Sequence, residues 1–248
     1  MLIRYVIRYH PTAYIFVRKS LLIFLIMLFS FSMIHTIANE RWGLKPGQFV
    51  ARFSENADTA REWLQLVEQL PAVSERQQLN QVNRFVHEHV RYRTDQALYG
   101  QSDYWASVSE TFEQGLGDCE DYAIAQYASL RLAGVSDDKL RLVYVRARIG
   151  GVNSGVSQAH MVLGYYPTPN SEPLILDSLI SDILPASQRP DLTPVFSFNA
   201  SGLWVGAAGQ QAKTSPLDRL SRWRSVLDRL ADEGIRWQSP RSNEGARQ

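Results

Sequence analysis

Cysteine is almost absent from this chain, whose 248 residues contain one, Cys119. A single thiol cannot form a disulfide within the chain, so a disulfide-stapled scaffold is excluded. Two interpretations of Cys119 remain: an inert packed side chain or a reactive group. The sequence Gly117-Asp118-Cys119-Glu120-Asp121 stands directly before an alanine-rich helical segment, 122–132. Because a helix N-terminus favours a thiolate, this position favours the reactive group.

A hydrophobic run long enough to span a bilayer is missing as well. The apolar run 21–34 has 14 residues, whereas a spanning helix needs about 20. It follows a leader that contains Arg4, Arg8, Arg18 and Lys19 and no acid. Small residues end the segment, so we predict a signal peptide over 1–38, cleaved after Ala38, and export to the periplasm. An uncleaved N-terminal membrane anchor is the alternative.

The chain also lacks an excess of positive charge. Without the four basic residues of the leader, the mature chain has 22 Lys and Arg and 25 Asp and Glu, which gives a net charge of −3. No basic patch of the kind that binds nucleic acid is visible. The sequence shows no internal repeat and no low-complexity segment, so an ordinary globular domain is expected.

Hydrophobic periodicity changes along the chain from helical spacing to strand alternation. Helices are predicted over 61–70, 110–114 and 122–132. A further helix is predicted to begin at a capping box formed by Ser74 and Gln77. Strands are predicted over 140–148, 159–166 and 173–179. The fold class is therefore α+β, with an N-terminal helical lobe packed on an antiparallel sheet. We expect one domain over 39–205, then a linker, an amphipathic helix that begins at Ser215-Pro216, and a frayed tail within 206–248.

A cysteine nucleophile needs a base, and the base needs an orienting partner. His160 lies on the second predicted strand and Asp177 on the third. A hairpin centred between Thr168 and Pro169 pairs residues whose numbers sum to 337, which places Asp177 directly across from His160 on one sheet face. This predicts a triad of Cys119, His160 and Asp177. The alternative is a buried histidine with a local hydrogen bond and an unrelated aspartate.

Three carboxylates surround the cysteine, those of Asp118, Glu120 and Asp121. Hard oxygen ligands suit Ca²⁺ better than Zn²⁺, and a bound dication would offset the negative charge that opposes a thiolate. Alternatively, Asp118 caps the helix, and the other two acids favour its first turn. Three acids do not complete a calcium sphere, so other oxygen atoms would have to supply the remaining ligands.

Several separated motifs, in order along the chain, resemble those of the bacterial transglutaminase-like cysteine proteinases, and within them the LapG-type periplasmic proteases. They are Gly-Asp-Cys-Glu-Asp-Tyr-Ala at 117–123, Ala-His-Met-Val-Leu at 159–163, Leu-Asp at 176–177 and Ser-Phe-Asn-x-x-Gly-Leu-Trp at 197–204. The resemblance implies a papain-like, transglutaminase-type fold. It also implies that Cys119 is the nucleophile, His160 the general base and acid, and Asp177 the orienting carboxylate. Calcium would bind at Asp118, Glu120 and Asp121.

The same resemblance implies a biological role. Such proteases cut a large repeat adhesin near its N-terminus, which releases the adhesin from the surface and disperses the biofilm. The periplasmic domain of an inner-membrane cyclic-di-GMP receptor is the implied inhibitor. Two other functions are compatible with this fold: an acyl transferase of the transglutaminase type, and a non-catalytic peptide-binding protein. The intact set of cysteine, histidine and aspartate argues against the second.

Overall fold

Side-chain caps set several helix starts in the N-terminal half of the chain. The computed structural model describes residues 42–150, 154–168, 170–205 and 210–237, and the predicted leader and frayed tail lie outside the described residues. Ser74 and Gln77 form the predicted capping box, and Ser107 and Glu110 form a second one. Both boxes satisfy N–H groups that a helix N-terminus leaves without partners.

The described helices include both long amphipathic ones and single turns. They are α1 (Pro46–Val50), α2 (Ala57–Gln69), α3 (Glu75–His89), α4 (Asp95–Leu98), α5 (Val108–Gln114), α6 (Cys119–Leu132), α7 (Pro216–Arg219) and α8 (Ser221–Asp232). Among the described residues, no helix has the length and apolar character that a membrane span requires.

The strands form one large sheet and two small pairs. They are β1 (Trp42–Leu44), β2 (Arg91–Tyr92), β3 (Leu116–Gly117), β4 (Leu140–Arg148), β5 (Ser157–Tyr165), β6 (Leu174–Asp177), β7 (Ile180–Pro185), β8 (Leu192–Phe198), β9 (Leu203–Val205), β10 (Gln210–Gln211) and β11 (Ile235–Trp237). The large sheet is antiparallel, in the order β10-β9-β8-β4-β5-β6-β7. β1 pairs with β11, and β2 pairs in parallel with β3. The predicted α+β class, helices packed on an antiparallel sheet, is confirmed.

Helix α6 packs on the sheet and on helices α2, α3 and α5. Its side chains share one hydrophobic core with Met161 and Leu163 of β5 and with the fully buried Trp63 of α2. The opposite face of the sheet carries a smaller cluster made of Val143, Val145, Val162 and Ile175. The predicted strand over 140–148 is confirmed at both ends, since β4 has these limits.

The predicted register of the β5–β6 hairpin is wrong by two residues. Leu163 pairs with Leu176, and Gly164 pairs with Ile175, so paired numbers sum to 339 and not to 337. The reason is the position of the turn, in which Ser171 N–H donates to the Thr168 carbonyl at 3.0 Å, one residue later than expected. Asp177 is therefore not directly across from His160. A shift of two leaves both side chains on one face, because side-chain direction in a strand has a period of two.

The C-terminal helix begins at the predicted position but is interrupted. Ser215 caps α7, with Pro216 in its first turn, and the chain then breaks at Leu220, where φ is −114° and ψ is 86°. α8 follows directly and packs Trp223, Leu227 and Leu230 into the same core as α6. We predicted one continuous helix, and the non-helical backbone at Leu220 divides it in two.

Asn199 fastens the end of β8 to the core. Its side chain is 1% exposed, and its main-chain carbonyl accepts a hydrogen bond from Trp223 Nε1 at 3.1 Å. The Asn199 side chain binds four main-chain groups, the carbonyls of Asp137 and Leu140 and the N–H groups of Ser201 and Gly202. Gly202 is required in this turn, since a Cβ there would lie 2.4 Å from the Trp204 ring.

Replacement of Asn199 tests this anchor. We expect Asn199→Ala to lower the free energy of unfolding by about 2–4 kcal/mol, because it leaves buried main-chain groups without partners. Urea unfolding measures the change. Asn80→Ala, at an exposed position of α3, is the matched control and should change the free energy by less than about 0.5 kcal/mol. Equal effects of the two substitutions would contradict the anchoring role.

Candidate active site

Cys119 is the first residue of α6, and a close approach at Gly117 shapes the entry into that helix. A Cβ on Gly117 would lie 2.8 Å from the Cβ of Asp121, so only glycine leaves room for Asp121 to fold back. The Asp121 carboxylate accepts hydrogen bonds from Asp118 N–H at 3.1 Å and from Ala106 N–H at 2.7 Å. The helix therefore starts at the cysteine with its first-turn carboxylate already held in place.

The Cys119 thiol is partly buried beside an acid. It donates a hydrogen bond to Glu120 Oε2 at 2.8 Å. Burial raises the pKa of the thiol, the charges of Glu120 and Asp118 raise it further, and a hydrogen bond from Met161 N–H opposes them. Without a nearby cation these surroundings favour the thiol over the thiolate.

His160 and Asp177 form a buried pair on the sheet. His160 Nε2 lies 2.7 Å from Asp177 Oδ1, and the two residues are 2% and 1% exposed. Asp177 stands diagonally from His160, which is within reach of an imidazole. Burial alone would raise the pKa of Asp177, but the hydrogen bond and charge of His160 bring it below its ordinary value. The aspartate is therefore an anion at neutral pH.

The structure brings His160 and Asp177 into direct contact. It places Cys119 against the core that includes Met161, the residue after His160 on β5. In the described part of the chain the thiol donates to Glu120 and not to the imidazole. Since Asp177 engages Nε2, Nδ1 is the imidazole nitrogen left to accept a proton from the thiol.

A second group of acids lies behind the cysteine. The carboxylates of Asp95, Asp118 and Asp121 are buried, and one oxygen from each lies within 4.8 Å of the others. Burial and the charge of Asp118 raise the pKa of Asp95 to about 6, and the same two causes raise the pKa of Asp121 well above its ordinary value. Asp95 Oδ1 and Asp118 Oδ1 are buried without a hydrogen-bond partner among the described residues.

This donor set fits a hard dication such as Ca²⁺, which binds carboxylate oxygens and would satisfy both unpartnered atoms. Two of the three predicted ligands, Asp118 and Asp121, belong to it. The third, Glu120, instead lies with Asp118 and Cys119. Burial and the charge of Asp118 raise the pKa of Glu120 to about 9.

Sequence reasoning missed two residues of the site. Asp95 comes close to Asp118 because β2 pairs with β3, and Arg93 N–H donates to the Gly117 carbonyl at 2.8 Å. Arg189 Nη2 lies 2.7 Å from Asp177 Oδ2. Neither residue shares a periodic pattern with the motifs around Cys119 or His160, so no local signal could have identified them.

Comparisons with known proteins identify the family of the chain. The sequence profile of the bacterial transglutaminase-like cysteine proteinases (BTLCP) matches residues 44–192. No curated protein sequence matches the chain. Among solved structures, calcium-bound LapG of Legionella pneumophila is 42% identical, with a TM-score of 0.62, over 71% of this chain and 92% of that one. EGTA-treated LapG from the same organism is 41% identical, with a TM-score of 0.62, over 71% and 90%.

A third LapG structure from that organism is 43% identical, with a TM-score of 0.60, over 71% of this chain and 90% of that one. Identity at this level over most of the LapG chain, together with the profile match, shows common family membership and the transglutaminase-like fold. The chain therefore belongs to the bacterial transglutaminase-like cysteine proteinase family.

Proposed function

We propose that this protein is a calcium-dependent cysteine endopeptidase of the periplasm with a Cys119, His160 and Asp177 triad. The observation that carries the proposal is the buried His160–Asp177 pair, which lies one residue from Met161 in the core against which Cys119 packs. Membership of a cysteine proteinase family supports it.

The residues of the site account for peptide cleavage as follows. Asp177 holds the Nε2–H of His160, so Nδ1 accepts the proton of the Cys119 thiol. The sulfur attacks the scissile carbonyl carbon, and the backbone N–H of Cys119 donates to the oxyanion. The imidazolium then gives its proton to the leaving amine. Water, deprotonated by the same nitrogen, attacks the thioester and releases the acyl product together with the free thiol.

Calcium would be held by Asp95, Asp118 and Asp121. When bound, the ion supplies positive charge beside Cys119, which offsets the carboxylates that raise the pKa of the thiol. The calcium-bound LapG structure supports this assignment by similarity. Glu120 stays on the cysteine side of the cluster, where it accepts the hydrogen bond from the thiol.

The substrate, location and partner rest on the family resemblance and on the leader. We infer that the enzyme cleaves a large repeat adhesin near its N-terminus and so promotes biofilm dispersal. The predicted signal peptide over 1–38 supports a periplasmic location. The periplasmic domain of an inner-membrane cyclic-di-GMP receptor is the inferred inhibitor. Acyl transfer to an amine uses the same residues, and incorporation of an added amine donor into the product would distinguish it from hydrolysis.

Replacement of the cysteine tests the nucleophile. We expect Cys119→Ala to lose at least about 10³-fold in cleavage of an adhesin N-terminal fragment, because no other group can form the thioester. Sequencing of the new termini identifies the cut made by the unaltered enzyme. The variant should keep its melting temperature within about 2 °C. Retained turnover would remove the nucleophile assignment.

Removal of calcium tests the metal site. Excess chelator should suppress cleavage, and Asp95→Asn should weaken calcium binding at least about tenfold, because calcium affinity depends on the number of charged ligands. Isothermal titration calorimetry measures the affinity. Asp58→Asn, on the exposed surface of α2, is the matched control. An unchanged rate in chelator, or equal affinities for the two variants, would contradict the site.

Replacement of the orienting carboxylate tests the triad. We expect Asp177→Asn to lower kcat by about 10²–10⁴-fold, since a neutral amide binds the Nε2–H more weakly than a carboxylate and lacks the charge that stabilises the imidazolium. Steady-state cleavage rates, with thermal unfolding as the control for folding, measure the effect. A rate close to that of the unaltered enzyme would show that another residue orients His160.

A further inference from the structure

The two oxygens of the Asp177 carboxylate have different partners. Oδ1 accepts from His160 Nε2 and from Leu179 N–H, at 2.7 and 2.9 Å. Oδ2 forms an ion pair with Arg189 Nη2 at 2.7 Å and has no hydrogen-bond partner among the described residues. The Asp177 side chain is fully buried and that of Arg189 is 6% exposed. A carboxylate this deeply buried stays ionised only when a cation or several hydrogen bonds compensate for lost water, and Arg189 supplies the cation.

The backbone between β7 and β8 delivers Arg189 to this position. β7 ends at Pro185, and a turn follows in which Arg189 N–H donates to the Ala186 carbonyl and Leu192 N–H donates to the Arg189 carbonyl. Ala186 and Leu192 pack on the outer hydrophobic cluster of the sheet. This packing holds the segment in place, and it brings the Arg189 side chain to Asp177.

An outer carboxylate holds the far side of the guanidinium. Arg189 donates to Asp191 from Nε at 3.0 Å and from Nη2 at 2.8 Å. This is a planar, two-point arrangement that a guanidinium makes and an ammonium cannot. Asp191 itself is held by Arg148 N–H, which donates to its main-chain carbonyl at 2.9 Å. Arg189 is thus fixed between a buried and a partly exposed carboxylate.

We propose that Arg189 is a positioning residue of the catalytic site, which fixes the position and the charge of Asp177 through an ion pair and, through it, the orientation of the His160 imidazole. The proposal rests on the proposed cysteine protease function. It assigns to Arg189 a role beyond that of closing the β7–β8 segment. A purely structural arginine would affect stability but not the pH dependence of the site.

The groups that face Asp177 come from three elements. His160 approaches from β5, and Arg189 approaches from the segment after β7 with Asp191 behind it. Burial lowers the pKa of His87 on α3, which lies close enough to Asp177 for the charge of that aspartate to oppose the effect. Burial raises the pKa of Asp177, and the hydrogen bond and charge of His160, the hydrogen bond from Leu179 N–H and the charge of Arg189, in decreasing order, lower it. Loss of the cation therefore raises the pH at which Asp177 takes up a proton.

The test measures alkylation of the chain's single cysteine by iodoacetamide in calcium buffer, as a function of pH, so that no protein substrate is needed. The variants are Arg189→Met, Arg189→Lys and His160→Asn. In Arg189→Met we expect the acid-side midpoint of the rate profile to move up by about one pH unit. In Arg189→Lys the charge is kept and the planar fork is lost, so the midpoint should stay and the plateau rate should fall at least about threefold.

Asp191→Asn is the matched control, because it removes the outer charge and leaves the contact with Asp177, and its midpoint should not move upward. An unmoved midpoint in Arg189→Met, or an unreduced plateau in Arg189→Lys, would overturn the positioning role. The lysine variant keeps the test decisive if the methionine variant does not fold. If His160→Asn also reproduces the unaltered profile, the imidazole does not act on the thiol and the proposed function itself fails.

Discussion

A 2.7 Å hydrogen bond between two buried side chains, His160 Nε2 and Asp177 Oδ1, is the contact on which the site depends. A buried carboxylate opposes folding strongly unless hydrogen bonds and a counter-charge compensate for its lost hydration. The hairpin register puts both residues on one face, the turn after β6 supplies Leu179 N–H, and the segment after β7 supplies Arg189. Each of these features contributes a hydrogen bond or a counter-charge to the same carboxylate, so the sheet edge and its covering segment form one electrostatic unit.

The start of helix α6 imposes the opposite constraint, because the carboxylates buried there lie beside one another. Four carboxylates, those of Asp95, Asp118, Glu120 and Asp121, are buried beside one thiol. Raised carboxyl pKa values mean that the folded chain binds more protons than the unfolded chain, so the acids destabilise the fold as pH rises. For Glu120 this loss of stability occurs as the pH rises from 4.5 to about 9. A bound dication would reverse the effect, and the proposed calcium site would then link the stability of the helix start to thiolate formation through one charge balance.

Local signals in the sequence predicted much of the architecture. The capping box at Ser74 and Gln77, the alternation over 140–148 and the helix that begins at the cysteine are all confirmed. The register of the β5–β6 hairpin was wrong because a loop of several residues does not determine where its turn forms. The break at Leu220 was missed because the apolar residues on both sides of it recur at helical spacing.

The sequence by itself determined which thiol can react, that it lies at a helix start among acids, and that His160 and Asp177 share a strand face. These properties depend on residue type, local capping and a period of two, which act over a few residues. Only the tertiary structure decided that Asp95 joins Asp118, 23 residues away, and that Arg189 reaches Asp177. Those contacts depend on the parallel pairing of β2 with β3 and on the path of the segment after β7. Long-range packing sets both, and it leaves no periodic trace in the chain.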